Sequence, residues 1–170
     1  MDKLVAANKD VYAVGKIDDL FGGRGITHTA HSANNEQALK DLIEKFMPVD
    51  FEGLLFVNLV EFDMIYGHRN DPQGYAAALQ AFDRRLPEIQ ALMRDDDIAI
   101  ISADHGVDPT TPSTDHSREY VPLLVFGKQV RPNINLGTRK TFSDVGATIA
   151  EIFSLEKPEF GESFLSEIQK

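Results

Sequence analysis

The run LLFVNLV at residues 54–60 is almost unbroken in apolar side chains. A strand of that composition needs cover on both faces, as in a parallel sheet flanked by helices, so it reads as a buried central strand. Shorter apolar runs at 11–14, 97–102 and 121–126 read as further strands, the last with Pro122 near its start. Between them the apolar spacing turns helical. Ala38, Leu39, Leu42, Ile43 and Phe46 share one face over 34–46, with Asn34 or Asn35 available as N-cap and Pro48 just beyond. Asp71-Pro72 supplies an N-cap and a first-turn proline for a long helix whose stripe is Tyr75, Leu79, Phe82, Leu86, Ile89 and Met93, with a kink expected near Pro87. A last helix over 143–153 carries Val145, Ile149, Ile152 and Phe153. Residues 20–26 hold three glycines and read as a loop. The order strand, helix, strand implies a right-handed crossover between parallel strands. The expected fold is therefore α/β, a three-layer α/β/α sandwich with a mostly parallel sheet.

At 170 residues the chain has room for one domain with a real core, and a single domain over 1–170 is the expectation. Its 27 acidic residues against 17 basic ones give a net charge of −10. That balance argues against a nucleic-acid groove, which needs clustered Lys and Arg. The sequence has no cysteine, which removes disulfides, thiolate metal sites and a cysteine nucleophile. The opening MDKLVAANKD lacks a signal-peptide core, and no run approaches the length needed to cross a bilayer. A soluble, cytoplasmic protein without membrane or nucleic-acid partners is the simplest expectation.

Five potential metal ligands lie just past the strand-like runs. Asp63 and His68 follow the 54–60 run, Asp104 and His105 follow the 97–102 run, and His116 sits in the loop after them. In open parallel sheets ligands gather at the carboxyl ends of strands, so two strands would deliver this set to one edge. Carboxylate and imidazole without thiolate suit borderline or hard divalent ions such as manganese, zinc or magnesium. Gly67 would let the chain bend and bring His68 back toward Asp63. Each residue alone has an ordinary alternative: a turn or cap for Asp63, a tight turn for Asp104-His105-Gly106, a surface imidazole for His116. Their coincidence favours metal. Lys16, after a strand and before a glycine-rich turn, either offers its ammonium to a phosphate or is a solvated lysine. Arg118 reads as a partner for one of the many carboxylates, and His28 and His31 read as surface residues in a polar loop.

The segments VGKIDDLFGGRGIT, NLVEFDMIYGHRNDPQGYAAAL, ISADHGVDPTTPSTDHSREYVPLLVFG and TFSDVGATIAEIF resemble, in order, those of the phosphopentomutases of the alkaline phosphatase superfamily. The resemblance covers nearly the whole chain. Its most specific part is FD with GHR, then ADHG, then TDHSREYVP, because cofactor-independent phosphoglycerate mutases share the metal logic but not these words. It implies a manganese ion held by Asp63, His68 and His116, and a second ion to which Asp104 and His105 contribute, with magnesium or zinc as substitutes. It further implies that Lys16 meets the substrate phosphate. The family interconverts ribose or deoxyribose 1-phosphate and 5-phosphate, an isomerase reaction of nucleoside catabolism, through a phosphothreonine and a bisphosphorylated sugar.

One departure accompanies the resemblance. The family's nucleophilic threonine and a further metal-binding aspartate come from an amino-terminal core segment, and a cap domain is inserted before the region seen here. Thr110, Thr111 and Thr114 lie in the loop between Asp104 and His116, where the family motif places no nucleophile. The expectation is a carboxyl-terminal part of the core, with no catalytic residue of its own and no turnover alone. Its uncovered sheet edge would offer a route to self-association. Two other readings stay open: a different metal-dependent phosphomutase or phosphohydrolase of the superfamily, and a non-catalytic metal-binding or oligomerising module.

Overall fold

In a computed structural model covering residues 1–170, β1 (Asp10–Val14) is the middle strand of three. It pairs in parallel with β2 (His28–Ala30) on one side and with β3 (Gly53–Val57) on the other, in the order β2-β1-β3. The chain divides into two compact units, Met1–Met93 with His105–Pro122, and Arg94–Asp104 with Leu123–Lys170. Both are α/β, as expected from the alternation of strand and helix patterns.

In the first unit the buried central strand is β1, in which Val11 and Val14 are wholly excluded from solvent. The 54–60 run, expected in that place, forms an edge strand instead, and Phe56 is 39% exposed. Apolar composition states how much cover a strand needs but not where its neighbours lie. Leu59 leaves the strand and packs beneath the helices, and Val60 accepts from the Met64 N–H to begin the next turn. Residues 28–30, read as loop, form β2. Val11 N–H donates to Thr27 Oγ1 at 2.9 Å, and the exposed His28 ring stacks on Tyr12 with centroids 4.3 Å apart. The glycine-rich loop is shorter than expected, since Ile17–Phe21 forms the one-turn α2, closed by Gly22 in the left-handed region.

Before α2 stands α1 (Asp2–Ala6), and after β2 comes α3 (Asn35–Lys40). The Asn34 side chain accepts from Gln37 N–H at 2.8 Å, the N-cap arrangement its position promised. The helix continues over Asp41–Phe46 with π-type hydrogen bonding. Its apolar face packs Leu39 and Ile43 against Ile89 of α4 (Pro72–Leu92). Asp71 caps α4 by accepting from Gly74 N–H at 2.8 Å. The stripe along α4 is used only in part: Phe82 and Ile89 pack, whereas Leu79 is 51% exposed. No helix is long and apolar enough to cross a membrane.

In the second unit β4 (Ala99–Ile101) pairs with β5 (Leu124–Phe126) in antiparallel register, Ala99 opposite Phe126 and Ile101 opposite Leu124. The crossover expectation of a parallel partner for this strand is thereby corrected. The core gathers Val130, Phe164 and Ile168 around Ile98, Ile100, Val125 and Val145. Here α5 (Ser143–Ile152) runs close to its expected bounds, and a short α6 (Leu165–Ile168) lies in a segment the sequence left unassigned.

Two buried polar residues of α5 hold the last ten residues in place. Thr148 Oγ1 donates to Asp144 O at 2.8 Å and accepts from Phe164 N–H at 3.0 Å. Asp144 accepts from Glu162 N–H at 2.9 Å and from Arg139 Nε at 2.8 Å. Burial works to raise the Asp144 pKa, but these hydrogen bonds and the charges of Arg139 and Lys140 outweigh it and hold the carboxyl below its usual range. A carboxyl depressed in the folded state contributes stability that is complete above its unfolded pKa of about 3.9 and is lost as pH falls through the folded value. Asp144→Asn should therefore cost about 3 kcal/mol at pH 7, because it removes the buried carboxylate from Arg139 Nε and leaves Glu167 as the remaining carboxylate partner of that guanidinium. In urea melts across pH, the variant should lose less stability than the wild type below about pH 4.

Candidate metal centre

The local fold around Asp63 begins with a widened helical turn. Phe62–Gly67 is π-helical, and His68 N–H reaches back five residues to Asp63 O at 2.9 Å. In an α-helix positions five apart point about 140° away from each other. The wider ring of the π turn brings them back toward one face, and such turns recur at functional sites. The approach of His68 to Asp63, Nε2 to Oδ1 3.4 Å, thus comes from the turn. Gly67, expected as the bend, has another task. A Cβ there would stand 2.7 Å from Val107 Cγ2, so its bareness lets the segment after His105 lie against the π turn.

That segment supplies two more imidazoles. His116 Nε2 stands 3.2 Å and His105 Nε2 3.9 Å from the same Asp63 Oδ1. The His105 and His116 rings stack with centroids 3.7 Å apart, and His68 lies 4.9 Å from His116. The ligand atoms of Asp63, His68 and His116 all fall within 4.8 Å of one another. Gly106 makes the return of the chain possible: Ser117 N–H donates to Gly106 O at 3.2 Å, and a Cβ at Gly106 would meet Ser117 O at 2.5 Å.

The hydrogen bonds around the rings define what the cluster can bind. His68 Nδ1 lies 2.5 Å from Thr114 O, and His105 Nδ1 lies 3.2 Å from Gly106 O. A carbonyl only accepts, so each Nδ1 carries a proton, and each ring turns its Nε2 toward Asp63. Asp63 Oδ1 is buried and has no hydrogen-bond partner, despite the nearness of three ring nitrogens. A cation among these atoms would satisfy the buried carboxylate oxygen and the ring nitrogens together. Three imidazoles and a carboxylate, two of the rings held by backbone carbonyls, form a donor set suited to a divalent ion. Nearby, burial first and the Asp63 charge second raise the pKa of the Tyr75 phenol, whose ring packs on Phe62.

Of the remaining expected residues, Lys16 is exposed at the start of α2, with Nζ 2.8 Å from Sδ of Met64, the neighbour of Asp63. Asp104 belongs to the second unit, exposed, in the segment that follows β4. Thr110 Oγ1 donates to Asp108 Oδ1 at 2.7 Å and Thr111 Oγ1 to Asp108 O at 3.0 Å, so both hydroxyls serve the loop itself. His31 pairs loosely with Asp18 at 3.6 Å, away from the cluster. Nothing in the residue pattern marks the Thr114 and Gly106 carbonyls that orient the rings, because backbone acceptors leave no residue signature.

Residues 3–157 match the profile of the metalloenzyme superfamily. The chain belongs to that superfamily. Among curated relatives, it is 65% identical over 99% of its length to a phosphopentomutase of Herpetosiphon aurantiacus, and 56% identical over 99% to a phosphopentomutase of Acetivibrio thermocellus. It is also 56% identical over its whole length to a phosphopentomutase of Carboxydothermus hydrogenoformans. The chain spans 43% of the length of each of these relatives. A crystal structure of Leishmania mexicana phosphoglycerate mutase at low cobalt concentration superposes with a TM-score of 0.69, covering 95% of this chain and 38% of that one at 19% identity. That likeness shows a shared fold, the α/β core expected from the strand and helix pattern. As a metalloenzyme-superfamily chain it should be sensitive at the two bare positions of its cluster. Gly106→Ala, which drives a methyl into Ser117 O, should cost about 2 kcal/mol in thermal or urea melts.

Proposed function

We propose that this chain is the metal-binding part of a phosphopentomutase, and that residues 1–170 form part of one core domain of that enzyme. The observation that carries the reading is the buried, unpartnered Asp63 Oδ1 faced by three imidazole nitrogens at 3.2–3.9 Å. Identity of 65% to a phosphopentomutase supports the assignment of the reaction. The full activity is the interconversion of ribose or deoxyribose 1-phosphate and 5-phosphate, in the cytoplasm.

In this reading Asp63, His68 and His116 hold one manganese ion, and Asp104 with His105 contribute to a second. When bound, divalent ions supply polarisation of phosphoryl oxygens and activation of an attacking hydroxyl. The chain's own groups prepare that chemistry. Backbone carbonyls of Thr114 and Gly106 fix the tautomers of His68 and His105, so no reorientation is needed when the ligands are used. The Lys16 ammonium, held beside Met64, attracts and orients the anionic substrate. The Thr110 and Thr111 hydroxyls are occupied with Asp108, which supports a nucleophile from outside this chain. The free edge of β3, with Phe56 half exposed, is a surface through which isolated chains would self-associate.

The reading is tested by joining this chain to the part of the Herpetosiphon aurantiacus phosphopentomutase that it does not cover. The chimera should interconvert ribose 1-phosphate and ribose 5-phosphate in the presence of manganese, and this chain alone should not. Asp63→Ala in the chimera should lower kcat/KM more than about 100-fold, since even residues that merely orient metal ligands cost about 10–100-fold. A folded chimera that leaves both pentose phosphates untouched would sink the proposal.

A further inference from the structure

The loop that carries His116 is tied to the π turn by two side chains, and one of them has no place among the proposed ligands. Asn70 Nδ2 donates to Thr111 O at 2.9 Å, while His68 Nδ1 donates to Thr114 O at 2.5 Å. Two side chains on the short connection between the π turn and α4 thus grip two carbonyls of one loop. Bonds inside the loop, from Thr110 and Thr111 to Asp108 and from Asp115 N–H to Ser113 Oγ, span only two or three residues. They stiffen the loop but fix it to nothing else.

Asn70 is shaped for this hold. Its φ of 51° lies in the left-handed region, which Asn tolerates better than other residues bearing a Cβ. Its own N–H donates to Gly67 O at 3.0 Å, closing a tight turn over residues 67–70 directly after the π turn. Its Oδ1 is buried without a partner, so the amide makes its side-chain bond through Nδ2. An acceptor at this position would face the Thr111 carbonyl and push the loop away.

Building on the metal reading above, we infer that Asn70 is a positioning residue. It holds the 108–116 loop against the π turn so that His116 Nε2 stands 3.2 Å from Asp63 Oδ1, without touching metal or substrate itself. Asn70→Gly keeps the left-handed backbone and deletes the amide. Asn70→Asp keeps the shape and replaces the donor by an acceptor.

The experiment uses the full chain and two readouts. In metal-free protein, hydrogen exchange of the 108–116 amides should rise about tenfold or more in Asn70→Gly, and at least as much in Asn70→Asp. The exchange of β1 should be unchanged, which separates a released loop from general loosening. Cobalt(II), chosen because its visible absorption reports coordination, should bind about tenfold more weakly to Asn70→Gly than to the wild type. In a His116→Ala background the same substitution should cost no further affinity, because the two act through one contact. Unchanged loop exchange in both variants, or effects of Asn70→Gly and His116→Ala that add in full, would overturn the inference. A wild-type chain that takes up no cobalt would instead overturn the metal reading, with loop exchange still deciding the role of Asn70.

Discussion

The first unit depends on the double pairing of β1. With β3 along its whole length, β2 against Tyr12–Val14 and Thr27 bonded to the Val11 backbone, β1 can bury Val11 and Val14 with its polar groups paired. Each such valine contributes roughly 1.5–3 kcal/mol by burial. That stability secures the strand next to which β3 lies, and β3 leads directly into the π turn at Phe62–Gly67. The cluster around Asp63 is therefore set on the end of the sheet whose middle strand is the most deeply buried, a firm base for a carboxylate and three imidazoles held close together.

The chemistry of the centre lies in which atoms are already satisfied. Thr114 O and Gly106 O occupy the Nδ1 positions of two rings, so their Nε2 positions are left for the Asp63 side. Holding several like-minded acceptors together costs stability locally. The surrounding packing offsets it: bare Gly67 admits the Val107 side chain, and bare Gly106 admits the Ser117 backbone.

Much of this was legible in the residues. The helix caps at Asn34 and Asp71, the bounds of α5, and the convergence of Asp63, His68, His105 and His116 all follow from local patterns: a polar residue before an apolar stripe, a carboxylate or imidazole after an apolar run. The placement of strands was less legible. Composition marked 54–60 as the buried centre, whereas neighbours put β1 there, and β4 found an antiparallel partner in β5. Pairing depends on what lies beside a strand, and a strand's own sequence carries little of that information. The π turn was also hidden, since an i→i+5 bond has no residue signature and a glycine at 67 drew attention to a bend in its place.

The interleaving of the two units has a consequence for how the molecule is made. Residues 94–104 leave the ribosome before the 105–122 segment that completes the first unit. Their own core then waits for Phe164 and Ile168, held by Thr148 and by the bond from Arg131 N–H to Ile168 O. At roughly 5–20 residues per second, β4 spends several seconds as an apolar strand without its core. A nascent chain of this protein would present Ile98, Ile100 and Ile101 to chaperones throughout that interval. Pauses in translation before Phe164 and Ile168 emerge would lengthen that exposure.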